Sequence, residues 1–385
     1  MKKQGQVRGQ MDWLLFFTAL ILISFGLVMV YSSSSLIAEF RFNRDHYYFV
    51  LRQASAAALA FLLLMLMSRH DYRRLRSPQW AFAGLGVIIF LLIAVFVVDS
   101  EHHRWFRLPL FSVQPSEFAK PALIVFLAWF VTRRREAINS PHTVWPAAIA
   151  LVGLAGAVVI ADLGTAIVLV ATTAAIFYLA GLNRRYTLIA FGACLLFLSV
   201  AVVWKPYRLK RLIDFIDPDY KVLIYINPSK SWLAHANTAT VQDTGHHAEM
   251  SKIAIGAGGM LGLGLMQGKQ KLLYLPEAHT DFIYAIVAEE LGFLGAVLLL
   301  AGFLIILYRG YQLYFKASDE FGRYLAVGVT TSIVFQALLN MSIVLDLGPT
   351  KGIPLPLISY GGSSLVSSAI SLGLLLSVSE RVNES

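Results

Sequence analysis

Ten apolar stretches of about twenty residues each limit the folds open to this chain more than any other feature of its sequence. They cover roughly 12–34, 49–68, 79–98, 116–132, 143–160, 164–181, 187–204, 281–308, 322–344 and 361–380. A helix of about 20 apolar residues crosses the hydrocarbon core of a bilayer. Only 14% of the residues are charged, against about 25% in soluble domains. The sequence therefore predicts an all-α polytopic membrane protein with about ten transmembrane helices.

The first stretch has two possible interpretations. Three basic residues precede it, Lys2, Lys3 and Arg8, as in a signal peptide. Its apolar run is longer than the h-region of a signal peptide, and nine further stretches follow, so we interpret it as the first transmembrane helix. The single cysteine, Cys194, lies in an apolar run, which excludes a disulfide framework and a thiolate metal cluster.

Lysine and arginine are distributed unevenly over the short loops, and this predicts the orientation. One alternating set of loops is rich in them, with Lys2, Lys3, Arg8, Arg69, Arg73, Arg74, Arg76, Arg133, Arg134, Arg135, Arg184, Arg185, Arg309, Lys316, Arg323 and Arg381. The other set holds only Arg41, Arg44, Arg104, Arg107 and Lys351. Because cytoplasmic loops are enriched in basic residues, both termini are predicted to be cytoplasmic. The net charge of +9 follows from this topology, and no nucleic-acid partner is predicted.

Residues 205–280 form the one long connection, between the seventh and eighth helices, and face the outside in this topology. They carry nine basic residues, namely Lys205, Arg208, Lys210, Arg211, Lys221, Lys230, Lys252, Lys269 and Lys271. Long loops are largely exempt from the positive-inside rule. The loop is therefore either a solvated basic segment or a set of cations that meets an anionic ligand. We expect a single integral membrane domain over 1–385, in which part of this loop is re-entrant.

Polar groups at membrane depth are the first functional candidates, because they are expensive there. They are Gln114, Glu117, Lys120, Asp162, Asp281, Glu289, Glu290, Gln336 and Asn340. Pro115 and Ser116 mark a helix start. Glu117 and Lys120 lie three residues apart on one helix face, which allows either a structural ion pair or contacts to a ligand.

The stretch from Ile255 to Gly268 contains six glycines. It differs from a dinucleotide-binding loop, because Leu261 stands where the third glycine of G-x-G-x-x-G belongs and no strand precedes it. A loop that dips into the bilayer against protein is the better interpretation.

Two further segments carry chemistry. In 276–281, Thr280 or Asp281 is either a helix cap, which lowers a carboxyl pKa, or lies in apolar surroundings, which raise it. His279 is a proton relay, a metal ligand or, as we favour, a structural histidine, since no H-E-x-x-H motif is present. In 348–364, three prolines predict a shaped loop with exposed amides. Lys351 in its middle is placed to meet an anion, unless the loop is only a stiff turn.

The chain resembles the SEDS family (shape, elongation, division and sporulation) of bacterial membrane glycosyltransferases. The motifs that carry the resemblance span nearly the whole chain and are 47–49 with 52–53, 114–120, 162–165, 207–211, 215–218, 253–264, 275–281, 289–292 and 349–364. Pro349-Thr350-Lys351-Gly352 is similar to the division branch rather than to the elongation branch.

The resemblance implies polymerisation of the peptidoglycan precursor lipid II into β-1,4 glycan strands. It implies that Asp281 is the general base, which takes the proton of the acceptor 4-hydroxyl during inversion at the donor's anomeric carbon. Lys351, Arg208, Arg211 and Lys120 are then the candidates to bind the diphosphate. The other candidate substrate contacts are Gln114, Glu117, Asp162, His279, Thr280, Ser363 and Ser364. The sequence contains no evident metal-ligand set, and a divalent cation such as Mg²⁺ or Mn²⁺ is an optional assistant.

The resemblance also implies the setting. We expect a multi-pass protein of the bacterial inner membrane with its active site on the outer face. Its partner would be a class B penicillin-binding protein, a transpeptidase, together with other division proteins. Two alternatives stay open at this stage. A lipid II transporter also has many spans and broken helices, and a scaffold without catalytic activity would assemble division proteins.

Overall fold

The computed structural model describes residues 10–99, 104–107, 112–204, 206–216, 238–271, 275, 277–349 and 351–382. Within these ranges there are twelve α-helices: α1 (Trp13–Phe42), α2 (Tyr48–Arg69), α3 (Pro78–Val98), α4 (Pro115–Arg133), α5 (Pro141–Ala161), α6 (Leu163–Leu179), α7 (Arg184–Val203), α8 (Pro206–Ile216), α9 (Thr238–Gly258), α10 (Ile283–Lys316), α11 (Glu320–Val344) and α12 (Gly362–Ser379). Each of the ten predicted apolar stretches is a helix, so the predicted helical polytopic fold is confirmed.

Eight of these helices are long and apolar enough to cross a membrane, judged by length and composition. The other two predicted spans are α6, a shorter apolar helix, and α4, which carries the buried charges of Glu117 and Lys120. Within the long connection, α8 and α9 are helical. Residues 217–237, together with Lys205, lie outside the described ranges, so the predicted basic residues Lys221 and Lys230 do as well.

Both ends of the described chain lie at the same end of the helical bundle. The backbone N–H of Asp12 donates to Ser379 Oγ at 3.2 Å. Arg309, near the C-terminal end of α10, donates from Nε to Asp12 Oδ2 at 2.7 Å. We call this the termini end. Because α10 arrives at the termini end, its first residue, Ile283, lies at the opposite end, which we call the cavity end.

Helices α11 and α12 form the centre of the bundle and are buried along nearly all of their length. Small residues let α12 approach its neighbours closely. A Cβ at Gly373 would lie 2.7 Å from the carbonyl oxygen of Leu64 in α2. Ser367 Oγ donates to the backbone carbonyl of Glu117 in α4 at 2.7 Å. This serine of α12 thus has its partner inside the bundle.

A two-stranded hairpin, absent from the sequence predictions, lies between α3 and α4. Its strands are β1 (Phe106–Arg107) and β2 (Ser112–Val113), paired antiparallel. Strands of two residues are too short to show the alternating pattern on which strand prediction depends. The hairpin brings Arg107 and Ser112 to the cavity described below.

Helix α10 is broken at Gly292, whose φ of 67° and ψ of −166° are not helical. The glycine-rich stretch packs against this break. The predicted loop over 255–268 begins later than expected, because α9 continues to Gly258. The remaining turns pack against α10, and their depth in the bilayer stays a prediction.

Candidate active site

A cavity of about 1030 Å³ opens at the cavity end of the bundle. Three carboxylates line it, and they are Asp162, Glu277 and Asp281. Six basic side chains line it as well, and they are Arg52, Arg104, Arg107, Arg208, Arg211 and Lys351. An excess of positive charge in a concave, partly apolar site attracts anions. The arrangement therefore suits a large anionic ligand.

Asp281 lies in a turn just before α10. The backbone N–H groups of Thr280, Asp281 and Phe282 all point at the carbonyl oxygen of Glu277, at 3.1, 3.2 and 3.4 Å. The N-cap of α10 is Phe282, which has no side-chain cap. Of the two interpretations of this segment, the helix cap by Thr280 or Asp281 is therefore excluded. Asp281 instead lines the cavity.

The Asp281 carboxyl group is desolvated. Burial raises its pKa most, the Arg104 charge lowers it, and the negative charges of Glu277 and Asp162 raise it again, to about 7 in sum. One of its oxygens lies against Gly352, where an added Cβ would be 2.4 Å from Oδ2. A carboxyl group whose pKa is near the working pH is suited to act as a general base.

The backbone around Asp281 is fixed by α11 and by the loop that follows it. Asn340 Nδ2 donates to the carbonyl oxygens of both Asp281 and Ile353, each at 2.7 Å. Ser359 Oγ donates to the carbonyl of Thr280 at 2.5 Å. The same loop carries Lys351 and Gly352, so these bonds hold Asp281 and the neighbouring cation in a fixed relative position.

Asp162 lies between α5 and α6 and caps α6. Its Oδ1 accepts from the N–H groups of Gly164 and Thr165, at 3.0 and 3.2 Å. Its Oδ2 accepts from Thr165 Oγ1 at 2.8 Å and from Gln114 Nε2 at 3.1 Å. Four donors to one carboxylate stabilise its charged form.

Two cations add to this effect. Arg104 Nη2 lies 3.5 Å from Asp162 Oδ2, and Lys351 Nζ lies 3.8 Å from Oδ1. Burial alone would raise the pKa of Asp162, but the charges of Arg104 and Lys351 and the bonds from Thr165 outweigh it and lower the pKa to about 2. Asp162 is therefore a permanent anion that holds two cations at the cavity wall.

Lys351 is a cation of the cavity whose pKa is strongly shifted by its surroundings. Burial lowers its pKa most, the attraction of Asp162 raises it, and the charges of Arg208 and Arg104 lower it again, to about 7. Its Nζ is buried, and no atom in the described ranges forms a hydrogen bond with it. An anion that enters the cavity supplies such a partner and favours the charged ammonium.

Arg208 also anchors the cavity wall. Its guanidinium donates to the carbonyl oxygens of Val159 and Ile160 at the end of α5, at 2.6 and 3.3 Å, and to that of Ala201 in α7 at 3.2 Å. It thereby ties α8 to two helices. Arg211, one helical turn further along α8, lines the cavity beside it.

The predicted diphosphate contact by Lys120 is corrected by its position. Lys120 Nζ binds Glu117 Oε2 at 2.7 Å and Gln336 Oε1 at 2.6 Å, inside the bundle and away from the cavity lining. Of the two interpretations of this helix face, the structure contains the ion pair. Gln336 in turn donates from Nε2 to the carbonyl of Pro354 at 2.9 Å, so the pair supports the loop that carries Lys351.

The remaining candidates divide into two groups. Gln114, Thr280 and Ser364 line the cavity. Ser363 lies behind the wall, where it donates to the carbonyl of Ser112 and accepts from the N–H of Gln114. His279 packs between the rings of Phe49 and Tyr360, with centroids 4.9 and 5.5 Å away. This placement fits the structural histidine that the sequence favoured.

Sequence reasoning missed four charged groups of the site, which are Arg52, Arg104, Arg107 and Glu277. One signal for two of them was available. Arg104 and Arg107 are among the few basic residues of the predicted outer loops, and the positive-inside rule does not account for basic residues there. Lys351 lies in the same set of loops, so its position there is the signal that the two arginines share with it.

The fold and the cavity together define a polytopic helical membrane protein with an anion-attracting site at one end of its bundle. The family model described as "cell cycle protein", for FtsW, RodA and SpoVE, matches residues 12–384. The chain belongs to this FtsW/RodA/SpoVE family, which confirms the SEDS resemblance.

The relatives are similar over nearly their full length. A probable peptidoglycan glycosyltransferase FtsW of Geobacter sp. (strain M18) is 37% identical over 96% of this chain and 97% of its own. Stage V sporulation protein E of Bacillus subtilis (strain 168) is 35% identical over 96% of both chains. A chain of a solved peptidoglycan synthase complex is 27% identical, with a TM-score of 0.72, over 97% of this chain and 99% of that one. The FtsW relative agrees with the predicted division branch.

Proposed function

We propose that this peptidoglycan glycosyltransferase polymerises lipid II into β-1,4-linked glycan strands, with Asp281 as its general base. The observation that carries the proposal is a desolvated carboxyl group with a pKa of about 7 in a cavity lined by six basic side chains. Lipid II presents a sugar hydroxyl that must lose a proton and a diphosphate that must be stabilised. The cavity offers the Asp281 carboxyl group for the first task and basic side chains for the second.

In the proposed reaction, Asp281 takes the proton of the 4-hydroxyl on the acceptor's N-acetylglucosamine. The oxygen attacks the anomeric carbon of the donor's N-acetylmuramic acid as the bond from that carbon to the diphosphate oxygen breaks. The electron pair leaves with the lipid diphosphate, and the α configuration becomes β in a single displacement. A diphosphate leaves as an anion without protonation, so the second carboxylic acid of a glycosidase is unnecessary.

Charge stabilisation falls to the basic residues. Lys351 and Arg104, which Asp162 holds at the wall, contact the leaving diphosphate in this proposal, with Arg208 and Arg211 beside them. Preorganised cations in a desolvated site stabilise developing negative charge without reorganisation at the moment of reaction. The described residues contain no cluster of three His, Cys, Asp or Glu placed to hold a metal ion. None of the steps above is therefore assigned to one.

The proposed setting follows the sequence topology. The cavity end faces the outside of the inner membrane, and the termini end faces the cytoplasm. A cysteine placed at Asp45, in the cavity-end loop between α1 and α2, should then react with an impermeant maleimide in intact cells, whereas one at Glu136 should not. A class B penicillin-binding protein is the proposed partner, supported by the similarity to a chain of a synthase complex that coordinates polymerisation and crosslinking.

The decisive experiment supplies lipid II to the purified protein with its transpeptidase partner. We expect polymer from the wild type and from Asp45→Asn, a carboxyl change at the cavity end outside the cavity lining, and none from folded Asp281→Ala. The same samples in liposomes test transport. Movement of labelled lipid II across the bilayer without polymer would favour the transporter, and full polymerisation by Asp281→Ala would refute the base.

A further inference from the structure

The break in α10 is repaired by the glycine segment, which we define as residues 259–271. In an intact helix the carbonyls of Glu289 and Glu290 would accept from the N–H groups of Phe293 and Leu294, four residues on. Here Glu289 and Glu290 accept from the N–H groups of Leu263 and Gly264, at 3.0 and 2.9 Å. The N–H groups of Phe293 and Leu294 donate to the carbonyls of residues 259 and 260, at 2.9 and 3.3 Å.

This exchange demands glycine on both sides. Gly262 has a φ of 83° and Gly292 a φ of 67°, which favour glycine. A Cβ at Gly262 would lie 2.2 Å from the carbonyl oxygen of Glu290. The two backbones therefore meet with no space for a side chain, and the four backbone groups named above each have a partner across the break.

Two buried carboxylates bind the same segment from α10. Glu289 Oε1 accepts from the N–H groups of Lys269 and Gln270, at 2.7 and 3.1 Å. Glu290 Oε1 forms an ion pair with Lys271 Nζ at 2.5 Å, with side chains 0% and 1% exposed. Ser32 Oγ of α1 donates to Glu290 Oε2 at 2.6 Å. Charge, hydroxyl and backbone donors thus converge at one point.

A buried ion pair is weak evidence for stability, because the desolvation of both charges offsets their attraction, and a registry role is its best-attested use. The Glu290–Lys271 pair has such a role available. The outer piece of α10, Ile283–Leu291, is separated from the rest of the helix by Gly292. Its orientation is set by what docks on it rather than by continuous helical bonds. Asp281 lies two residues before this piece.

The other end of the same stretch of chain reaches the helix before Lys351. Ser251 Oγ in α9 donates to the carbonyl of Val344 at 2.7 Å. Lys252 Nζ binds Asp346 Oδ2 at 2.7 Å, just past the end of α11. Residues 251–271 therefore contact both elements that carry the site, the piece of α10 after Asp281 and the end of α11 before Lys351.

We propose that Glu290 and Lys271 are positioning residues for the glycosyl transfer. Their ion pair locks the glycine segment onto Ile283–Leu291 and so fixes the placement of Asp281 relative to the acceptor hydroxyl. Neither residue lines the cavity, and neither touches substrate. The inference rests on the proposed function, because it requires Asp281 to be the base.

The test measures kcat and the lipid II KM of Glu290→Gln, Lys271→Met and the double variant. We expect each single variant to lose at least tenfold in kcat with KM changed less than twofold, because the base is displaced while the diphosphate contacts remain. The double variant also lacks the ion pair but leaves no uncompensated buried charge and keeps an amide oxygen for Ser32, so it should fold as well as wild type while its kcat stays at least tenfold lower. Asp12→Asn, which removes the partner of Arg309 at the termini end, is the control.

Two milder variants keep the ion pair and protect the test against misfolding of the single variants. Ser32→Ala removes the hydroxyl that donates to Glu290. Gly268→Ala adds a Cβ that would lie 2.7 Å from Glu289 Oε2. Each should lower kcat two- to fivefold in protein that remains monodisperse.

Folded variants with wild-type kcat, or with an equal change in KM, would overturn the positioning role. Inclusion of Asp281→Asn separates the two proposals. If it stays active the proposed function fails, and if it is inactive beside normal Glu290 and Ser32 variants only the positioning role fails.

Discussion

Asp162 and Asp281 line the same cavity, yet their carboxyl groups have opposite surroundings. Asp162 accepts four hydrogen bonds and has Arg104 and Lys351 nearby, and its pKa is lowered to about 2. The pKa of Asp281 is raised to about 7, and burial is the largest cause. Paired carboxyl groups whose pKa values are pushed apart divide the roles of a site between them. One is a fixed counter-ion, and the other is free to exchange a proton.

The local backbone explains this difference. Asp162 is the N-cap of α6, where the free N–H groups of the first turn converge on its side chain. Asp281 lies one residue before the N-cap of α10, and the nearby N–H groups point at the carbonyl of Glu277 instead. A shift of a single position relative to a helix start thus separates a structural anion from a candidate base.

The largest effect is expected from a variant that removes the proposed base, Asp281, and keeps the counter-ion, Asp162. Asp281→Asn should lower kcat by about 10²–10⁴-fold, the usual contribution of general base catalysis. It should also raise the melting temperature of the solubilised protein at pH 8, because a desolvated charge is replaced by a neutral amide. A variant that loses activity together with thermal stability would mean that Asp281 is structural, as Asp162 is.

A second change displaces the base without altering its chemistry. Gly352→Ala places a Cβ 2.4 Å from Asp281 Oδ2, so the carboxyl group must move. We expect a 10- to 100-fold loss in kcat with little change in KM. Gly348→Ala in the same loop is the matched control, because nothing lies within 4 Å of its Cβ. Equal kinetics for the two variants would show that the close contact is irrelevant to the reaction.

The helices were predictable because bilayer thickness fixes the length of an apolar run. The prediction failed at the end of α1, which was expected near residue 34 and continues to Phe42. The predicted stretch ends within a run of four serines, Ser32–Ser35. These serines are buried, and Ser33 and Ser34 donate to the carbonyls of Met29 and Val30. Hydropathy misplaces an end wherever polar side chains have partners inside the bundle.

The site was predictable in part, and the reason differs from residue to residue. Asp281 and Lys351 were found because each lies in a recognisable motif. Lys120 was assigned to the diphosphate because the sequence does not show its second partner. That partner, Gln336, is 216 residues away in the sequence, and only the fold brings the two together. Glu277 likewise becomes part of the cavity through a turn whose shape the sequence does not specify.

The third prediction tests the counter-ion. Asp162→Asn keeps an N-cap acceptor but removes the charge beside Lys351 and Arg104, so the lipid II KM should rise about tenfold while kcat falls less than threefold. Stability should fall as well. A pKa lowered from 3.8 to about 2 corresponds to about 2 kcal/mol, present above pH 3.8 and lost as the pH falls through 2. Thermal melting of both proteins at pH 7 checks this, and an effect on kcat alone would contradict it.

The smallest expected effect concerns the two groups that titrate near pH 7. Asp281 must be ionised to accept a proton, so kcat/KM should fall as the pH drops below about 7. Lys351 must be charged to hold the diphosphate, and its pKa of about 7 in the free protein gives kcat/KM an alkaline limb above that pH. Arginine stays charged at every accessible pH. Lys351→Arg should therefore flatten the alkaline limb, with about a fivefold gain in kcat/KM at pH 8 relative to pH 7 over the wild-type ratio, and should leave the acid limb unchanged. If the acid limb moved instead, the lysine rather than Asp281 would be the group that exchanges the proton, and Asp281 would lose the role that sets it apart from Asp162.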